Sequence, residues 1–239
     1  MSGATSQYEK IRTRLYAVSL LRFAKRRLKY RELAEILGVD MSLLARYVSG
    51  LVVPSYEQSL SLISALRNVI SLEDIVREEI SRHKGYVDLS GLLSDTVFLE
   101  LVGYELSSKF NSPPPDAVIV PETSGISLAT EIARQLQSRL VVARKRKDNP
   151  MEEYYEEHLI LPPNVRRSFY VRKSLVRPGD SILIVDDIVH SGLTLSALER
   201  LIRRINGRLL GVASIVVVGG AWRDKVNPEI RIESILEIF

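Results

Sequence analysis

Two adjacent carboxylates, Asp186 and Asp187, follow the apolar run SILIV and lead into the small-residue loop IVHSGLT. Side by side they offer acceptor oxygens to both hydroxyls of a vicinal diol. Behind them, Ser191, Gly192, Leu193 and Thr194 precede a segment with helical spacing, TLSALERLIRRI. Backbone N–H groups and two hydroxyls there would point at an anion on the positive end of the helix dipole, and Gly192 would let the backbone approach closely. A phosphate held by the loop would set its attached sugar beside the aspartates. An isolated Asp-Asp pair is more often a cap or a turn. Between an apolar strand and a small-residue nest, it reads as a phosphate-plus-ribose site.

The elements that must position these groups follow an alternating grammar from about residue 86 onward. DAVIVP is a short apolar strand, SGISLATEIARQL a helix after a glycine-containing loop, and RLVVARK a second strand. SILIVDD with TLSALERLIRRI repeats the unit, and LLGVASIVVVGG supplies a further apolar strand. Apolar strands separated by helices predict a parallel sheet covered on both faces. Ligands on such sheets lie beyond the carboxyl ends of the strands. That places two loops at the site, PETSG and DDIVHSGLT.

The first third of the chain differs in charge and in pattern. Through Ile70 there are eleven lysines and arginines against five acids, a balance of +6; the rest of the chain carries −2. A basic segment on a near-neutral body suggests a polyanionic partner. Apolar residues recur at helical spacing in Ile11, Leu15, Val18 and Leu21, predicting a first helix with these turned inward. A second helix fits residues 31–37, with Leu33, Ala34 and Leu37 inward, ended by Gly38. Asp40 is placed to cap a third, residues 41–48, closed by Gly50 and Pro54. The stretch resembles a helix-turn-helix, in which the second helix of the pair enters the DNA major groove. That resemblance makes Ser42, Leu43, Arg46 and Ser49 candidates to reach the DNA, with Lys25, Arg26, Arg27 and Lys29 as backbone-positioning charges. The competing reading is a helical hairpin used for packing or dimerisation. The division between the parts is expected at residues 84 and 85: a helical DNA-binding domain over 1–84, and an α/β domain over 85–239.

No cysteine is present, so disulfides, thiol nucleophiles and thiolate zinc sites are excluded. No apolar run reaches the roughly 18 residues of a membrane span. The opening residues lack the apolar core of a secretory signal, which predicts a cytoplasmic protein.

ILIVDDIVHSGLT resembles the phosphoribosyl pyrophosphate (PRPP) signature of type I phosphoribosyltransferases, and VIVPETSGISLA that family's pyrophosphate loop. YVRKSLVRPGDSILIVDD is similar to the approach to the signature in purine members, and IRIESILEIF to their closing strand. The resemblance implies that Asp186 and Asp187 bind the ribose hydroxyls. Val189, His190, Ser191, Gly192, Leu193 and Thr194 would cradle the 5′-phosphate. Thr123, Ser124 and Gly125 would face pyrophosphate, with Arg144 and Lys145 as charge partners. Magnesium would come with PRPP, held through its oxygens and not directly by protein side chains. Residues 147–167 would form the family's mobile hood loop, unless their EEYYEEH run is a solvated helix face. His190 stands where purine-type enzymes often have aspartate, alanine or threonine; it either serves the base as a proton acceptor or donor, or is a loop residue without chemistry. Trp222 either stacks on a base or packs. The lysine by which 6-oxopurine enzymes commonly recognise the base oxygen is absent, its place taken by Val218.

The domain order resembles archaeal regulators that join a helix-turn-helix to a transferase-type sensor. It implies a DNA-binding transcriptional regulator responsive to PRPP or a nucleotide, acting as a homodimer on double-stranded DNA. The alternative is an active phosphoribosyltransferase, adenine-type before 6-oxopurine, or orotate-specific, with an accessory N-terminal domain.

Overall fold

The computed structural model describes residues 6–83, 86–161 and 165–239. The expected division at residues 84 and 85 lies outside them, as do residues 162–164 of the expected hood segment. The chain falls into two compact units, one made of Met1–Ile75 with Thr96–Leu101, the other of Val76–Asp95 with Val102–Phe239.

In the first unit, helix α1 (Gln7–Lys25) opens on a reciprocal cap between Ser6 and Glu9. Its buried face is Tyr16, Ala17, Leu20, Leu21, Phe23 and Ala24. Val18 and Leu21 are inward as the spacing predicts, whereas Ile11 and Leu15 are each 51% exposed. The helical period was correct but its phase was not. The helix turns its Thr13–Tyr16–Ala17–Leu20 row to the core, and Arg14 next to that row donates to the Pro54 carbonyl at 2.7 Å.

Helix α2 (Tyr30–Leu37) ends at Gly38, whose φ of 61° is the left-handed conformation that glycine adopts without penalty. Helix α3 (Met41–Ser49) begins on Asp40, whose carboxylate accepts from the Ser42 and Leu43 amides. The Ser42 hydroxyl, which also donates to it, and then these two amides hold the Asp40 carboxyl below the usual carboxylate range. Leu33, Leu44 and Tyr47 seal the angle between the two helices. Helix α4 (Tyr56–Arg67) follows, and then α5 (Leu72–Arg82), which passes into the second unit after Ile75.

The second unit contains the short helix α6 (Ser90–Ser94) and, after α7 (Thr96–Ser108), the strands β1 (Ala117–Pro121) and β2 (Arg139–Ala143) on either side of α8 (Ile126–Leu136). Next come β3 (Tyr154–Leu161) and β4 (Val165–Arg172), then β5 (Ser181–Val189), α9 (Leu193–Ile205), β6 (Arg208–Val218) and β7 (Ile232–Ile238). β2, β1, β5, β6 and β7 form, in that order, a parallel sheet. All five residues of β1 and the first five of β5 are buried, which is why these strands read as unbroken apolar runs. Each fully buried Val, Leu or Ile contributes about 1.5–3 kcal/mol. α9 adds Leu198, Leu201, Ile202 and Ile205 to the same core. No helix among the described residues is long and apolar enough to cross a membrane.

Two expectations need correction here. β5 does not end at the aspartates; it continues through them to Val189, because Ile188 and Val189 pair with Val216 and Val217 of β6. The EEYYEEH run is not a helix face: from Tyr154 onward it is the strand β3, paired antiparallel with β4.

Candidate functional site

Asp186 and Asp187 are placed by an asymmetry in the sheet. β1 pairs with β5 as far as Ile119 against Ile184, while β6 runs alongside to Val189. Beyond Ile184 the strand therefore has a neighbour on one side, and the two carboxylates sit half-buried where the other side opens. The Asp187 amide donates to the Asp186 carboxylate at 3.1 Å, and the buried Ser214 hydroxyl donates to the Asp187 carbonyl at 3.1 Å. Burial, and next to it the charge of Asp187, push the Asp186 carboxyl well above its usual range. Neither aspartate forms an ion pair among the described residues, so the pair faces the cleft with its charge uncompensated.

The loop behind them is shaped by Gly192, which has φ 73° and precedes the first residue of α9, Leu193. A β-carbon there would lie 2.7 Å from the Trp222 α-carbon, so backbone meets backbone at this point. The amides of Leu193 and Thr194, in the first turn, have no carbonyl within the helix to bond, which leaves an anion-binding end. His190 and Ser191 are exposed, whereas the Val189 side chain is buried.

The other wall is the loop after β1. Thr123 and Ser124 are exposed, and the Glu122–Thr123 peptide is cis. Gly125 is packed against the aspartate strand, where a β-carbon would lie 3.2 Å from the Asp187 nitrogen. Glu122 accepts from the Lys145 amide at 2.9 Å, which joins this loop to the end of β2.

Between the walls lies an open cleft of about 230 Å³. Of the expected ligand residues it gathers Asp186, Asp187, Thr194, Thr123, Ser124 and Lys145. Gly125 and Gly192 shape its walls from behind. Arg144 is placed differently: its guanidinium pairs with Asp148 at 3.0 Å and reaches Glu122 at 4.0 Å. Asp148 is held down to about 2 by hydrogen bonds from Tyr154 and Arg172. Trp222 is 9% exposed and lies in the core behind Gly192; its indole nitrogen has no hydrogen-bond partner among the described residues. His190 is not among the residues lining the cleft.

Sequence reasoning missed five lining residues: Pro121, Glu122, Leu159, Arg167 and Phe169. The last three come from the hairpin. Alternation at Tyr155, Glu157 and Leu159, and again at Arg167, Phe169 and Val171, was the signal available. A glutamate at an inward position concealed it.

In the first unit, Arg46 is exposed on α3 and Lys29 is exposed before α2. The hydroxyls of Ser42 and Ser49 are turned back, onto Asp40 at 2.5 Å and the Arg46 carbonyl at 3.1 Å. Leu43 is half-buried. Lys25 lies 4.8 Å from the centre of the Tyr30 ring, and Arg26 and Arg27 flank Phe23.

The family described as phosphoribosyl transferase domain matches residues 102–239. An orotate phosphoribosyltransferase of Thermoanaerobacter sp. (strain X514) is 27% identical over 154 residues, 64% of this chain and 70% of the relative. A xanthine phosphoribosyltransferase of Clostridioides difficile (strain 630) is 29% identical over 147 residues, 59% of this chain and 77% of the relative. The crystal structure of adenine phosphoribosyltransferase from Rhodothermus marinus DSM 4252 has the same fold, with a TM-score of 0.58 at 24% identity over 64% of this chain and 86% of the other.

Proposed function

The chain belongs to the phosphoribosyltransferase family, and from that premise we propose that its second unit binds PRPP and transfers ribose 5-phosphate to a nucleobase. The observation that carries this reading is the convergence of Asp186, Asp187, Thr194, Thr123, Ser124 and Lys145 on one cleft. The 5′-phosphate takes the first-turn amides of α9, with the loop from Val189 to Thr194 around it. The ribose hydroxyls donate to Asp186 and Asp187. Pyrophosphate lies along Thr123 and Ser124, with Lys145 opposing its charge, and Arg144 braces Glu122 and Asp148 behind it. Two cleft-facing carboxylates without a cation partner among the described residues fit a ligand that arrives with magnesium on its own oxygens, where the ion would supply charge neutralisation.

The reaction joins a base nitrogen to C1 of the ribose as the bond from C1 to pyrophosphate breaks, and the proton of the base passes to the departing pyrophosphate or to solvent. The protein contributes orientation and charge stabilisation. The base would enter on the hairpin side, beside Leu159, Phe169 and Arg167. Relatives named as orotate and xanthine phosphoribosyltransferases favour transfer over sensing alone.

A second reading is favoured by one specific observation in the first unit. The left-handed Gly38, the Asp40 cap and the exposed Arg46 have the form of a helix-turn-helix, which supports a homodimeric DNA-binding regulator that senses PRPP or a nucleotide. One experiment divides the readings. The protein is incubated with PRPP, magnesium and adenine, orotate, xanthine, hypoxanthine or guanine in turn, and released pyrophosphate is measured. Turnover with any base establishes transfer; PRPP binding without turnover leaves the sensor.

A further inference from the structure

The hairpin sorts its residues between two faces. On the inner face Tyr155 opposes Val171, Glu157 opposes Phe169, and Leu159 opposes Arg167. Val171, Phe169 and Leu159 are buried in the sheet core. Among them is a carboxylate, Glu157, whose side chain is only 8% exposed. An ionised group at that depth is costly unless it is paired and hydrogen-bonded. Its partners both come from α9: Arg200 Nε donates to Oε1 at 2.8 Å and Arg204 Nε to Oε2 at 2.6 Å. The arginines are four residues apart, so one turn of helix presents both guanidiniums to the same point. Arg200 also donates to the His158 carbonyl at 3.2 Å and to the Ser196 hydroxyl at 2.9 Å. The helix thus holds the hairpin by side chain and by backbone.

The same helix presents the anion-binding amides at its first turn. The next inner pair of the hairpin after Glu157 and Phe169 is Leu159 and Arg167, and both line the cleft with the aspartates. We propose that Glu157 is a positioning residue for the site: through Arg200 and Arg204 it fixes the hairpin on α9, so that Leu159, Phe169 and Arg167 form a standing wall of the cleft before any ligand arrives. The identity of the ligand rests on the PRPP reading above. The docking of the hairpin does not, because its bonds are made within the protein.

The full-length protein is compared with Glu157→Gln, Glu157→Asp and Arg204→Ala. Trypsin cleavage after the exposed Arg166 and Arg167 reports release of the hairpin, and calorimetry with PRPP and magnesium reports the site. Arg200 and Arg204 are about half exposed, so in Glu157→Gln they can turn to water and the fold should survive. Arg204→Ala, which keeps one of the two bonds, serves if it does not. The expected result is slow cleavage of the wild type with or without PRPP. Glu157→Gln should be cleaved about tenfold faster, with PRPP affinity about tenfold weaker, and Glu157→Asp should recover part of both. A wild-type hairpin that is cleaved fast and protected only by PRPP overturns the proposal, because the wall would then be a ligand-driven lid. Faster cleavage in Glu157→Gln with unchanged PRPP affinity also overturns it, leaving Glu157 a structural role alone. If the wild type does not bind PRPP, the ligand reading fails by itself. Cleavage then decides the docking: release in Glu157→Gln sustains it, and no release overturns it.

Discussion

Gly125 lies directly against the aspartate strand, with space for a β-carbon only 3.2 Å from the Asp187 nitrogen and 3.4 Å from the Asp186 α-carbon. The loop expected to face pyrophosphate and the strand expected to hold the ribose are therefore in backbone contact. Gly125 has φ −71°, so an alanine there meets no conformational penalty and acts through space alone. Gly125→Ala should change stability by less than about 1 kcal/mol yet weaken PRPP binding about tenfold, since the two walls must part by a few tenths of an ångström. Calorimetry and melting on the same samples test this. Unchanged PRPP affinity would mean that the spacing of the walls is not what the ligand reads.

Gly192 presents the opposite case. Its φ of 73° penalises any β-carbon by about 1 kcal/mol, and the atoms it would meet are the α-carbon, β-carbon and carbonyl oxygen of Trp222. Gly192→Ala should therefore lower the melting temperature clearly more than Gly125→Ala, and should remove inorganic phosphate binding as well as PRPP binding. A variant that melts like the wild type would show that the loop can yield, and that the contact with Trp222 is not fixed.

Asp186 opposes folding at neutral pH. Its folded pKa lies above the unfolded one, so its contribution to stability is present in acid and is lost as pH rises through the folded value. Above that point the pair must bear an uncompensated charge. Without ligand, Asp186→Asn should melt about 2–4 °C higher than wild type near pH 7, the shift expected for about 1 kcal/mol in a domain of this size. The gain should shrink as the pH falls and the wild-type carboxyl takes up its proton. PRPP affinity should fall at least tenfold, since an amide replaces one of the diol acceptors. Melts recorded from about pH 4 to pH 8 test the sign: a variant less stable than wild type at neutral pH would refute it.

β1, β5 and β6 were legible because burial on both faces demands long apolar runs; β2 lies in a segment read as a strand although only two of its residues are buried, and β7 was marked only by its resemblance to the family's closing strand. The aspartates were legible because two charges after such a run have few structural uses. The continuation of β5 past them was hidden, because it depends on Val216 and Val217 of another strand. The hairpin was hidden for a related reason. Glu157 reads as polar and outward, and becomes an inward residue only through arginines 43 and 47 positions later. In α1 the period was visible but the phase was not, since nothing in Ile11 or Leu15 indicates which row faces α4. Trp222, alone after a strand, belongs to no pattern at all.

The first unit offers a test independent of the cleft. Of the candidate DNA contacts, the Ser42 and Ser49 hydroxyls are engaged within their own helix and cap, and Lys25 lies over the Tyr30 ring. Arg46 and Lys29 are exposed, on or just before the two helices of the motif. If this unit binds duplex DNA, each phosphate contact releases about 0.9 of a counterion. Arg46→Ala with Lys29→Ala should then reduce the slope of log affinity against log salt by about 1.8 if both touch phosphate. If Arg46 reads a base edge instead, the slope falls by about half that, and discrimination between sequences falls with it. Titration of a labelled promoter fragment between about 50 and 200 mM salt separates the cases. Binding with an unaltered slope would remove both residues from the interface, and no binding by the wild type would make the α2–α3 unit a packing module.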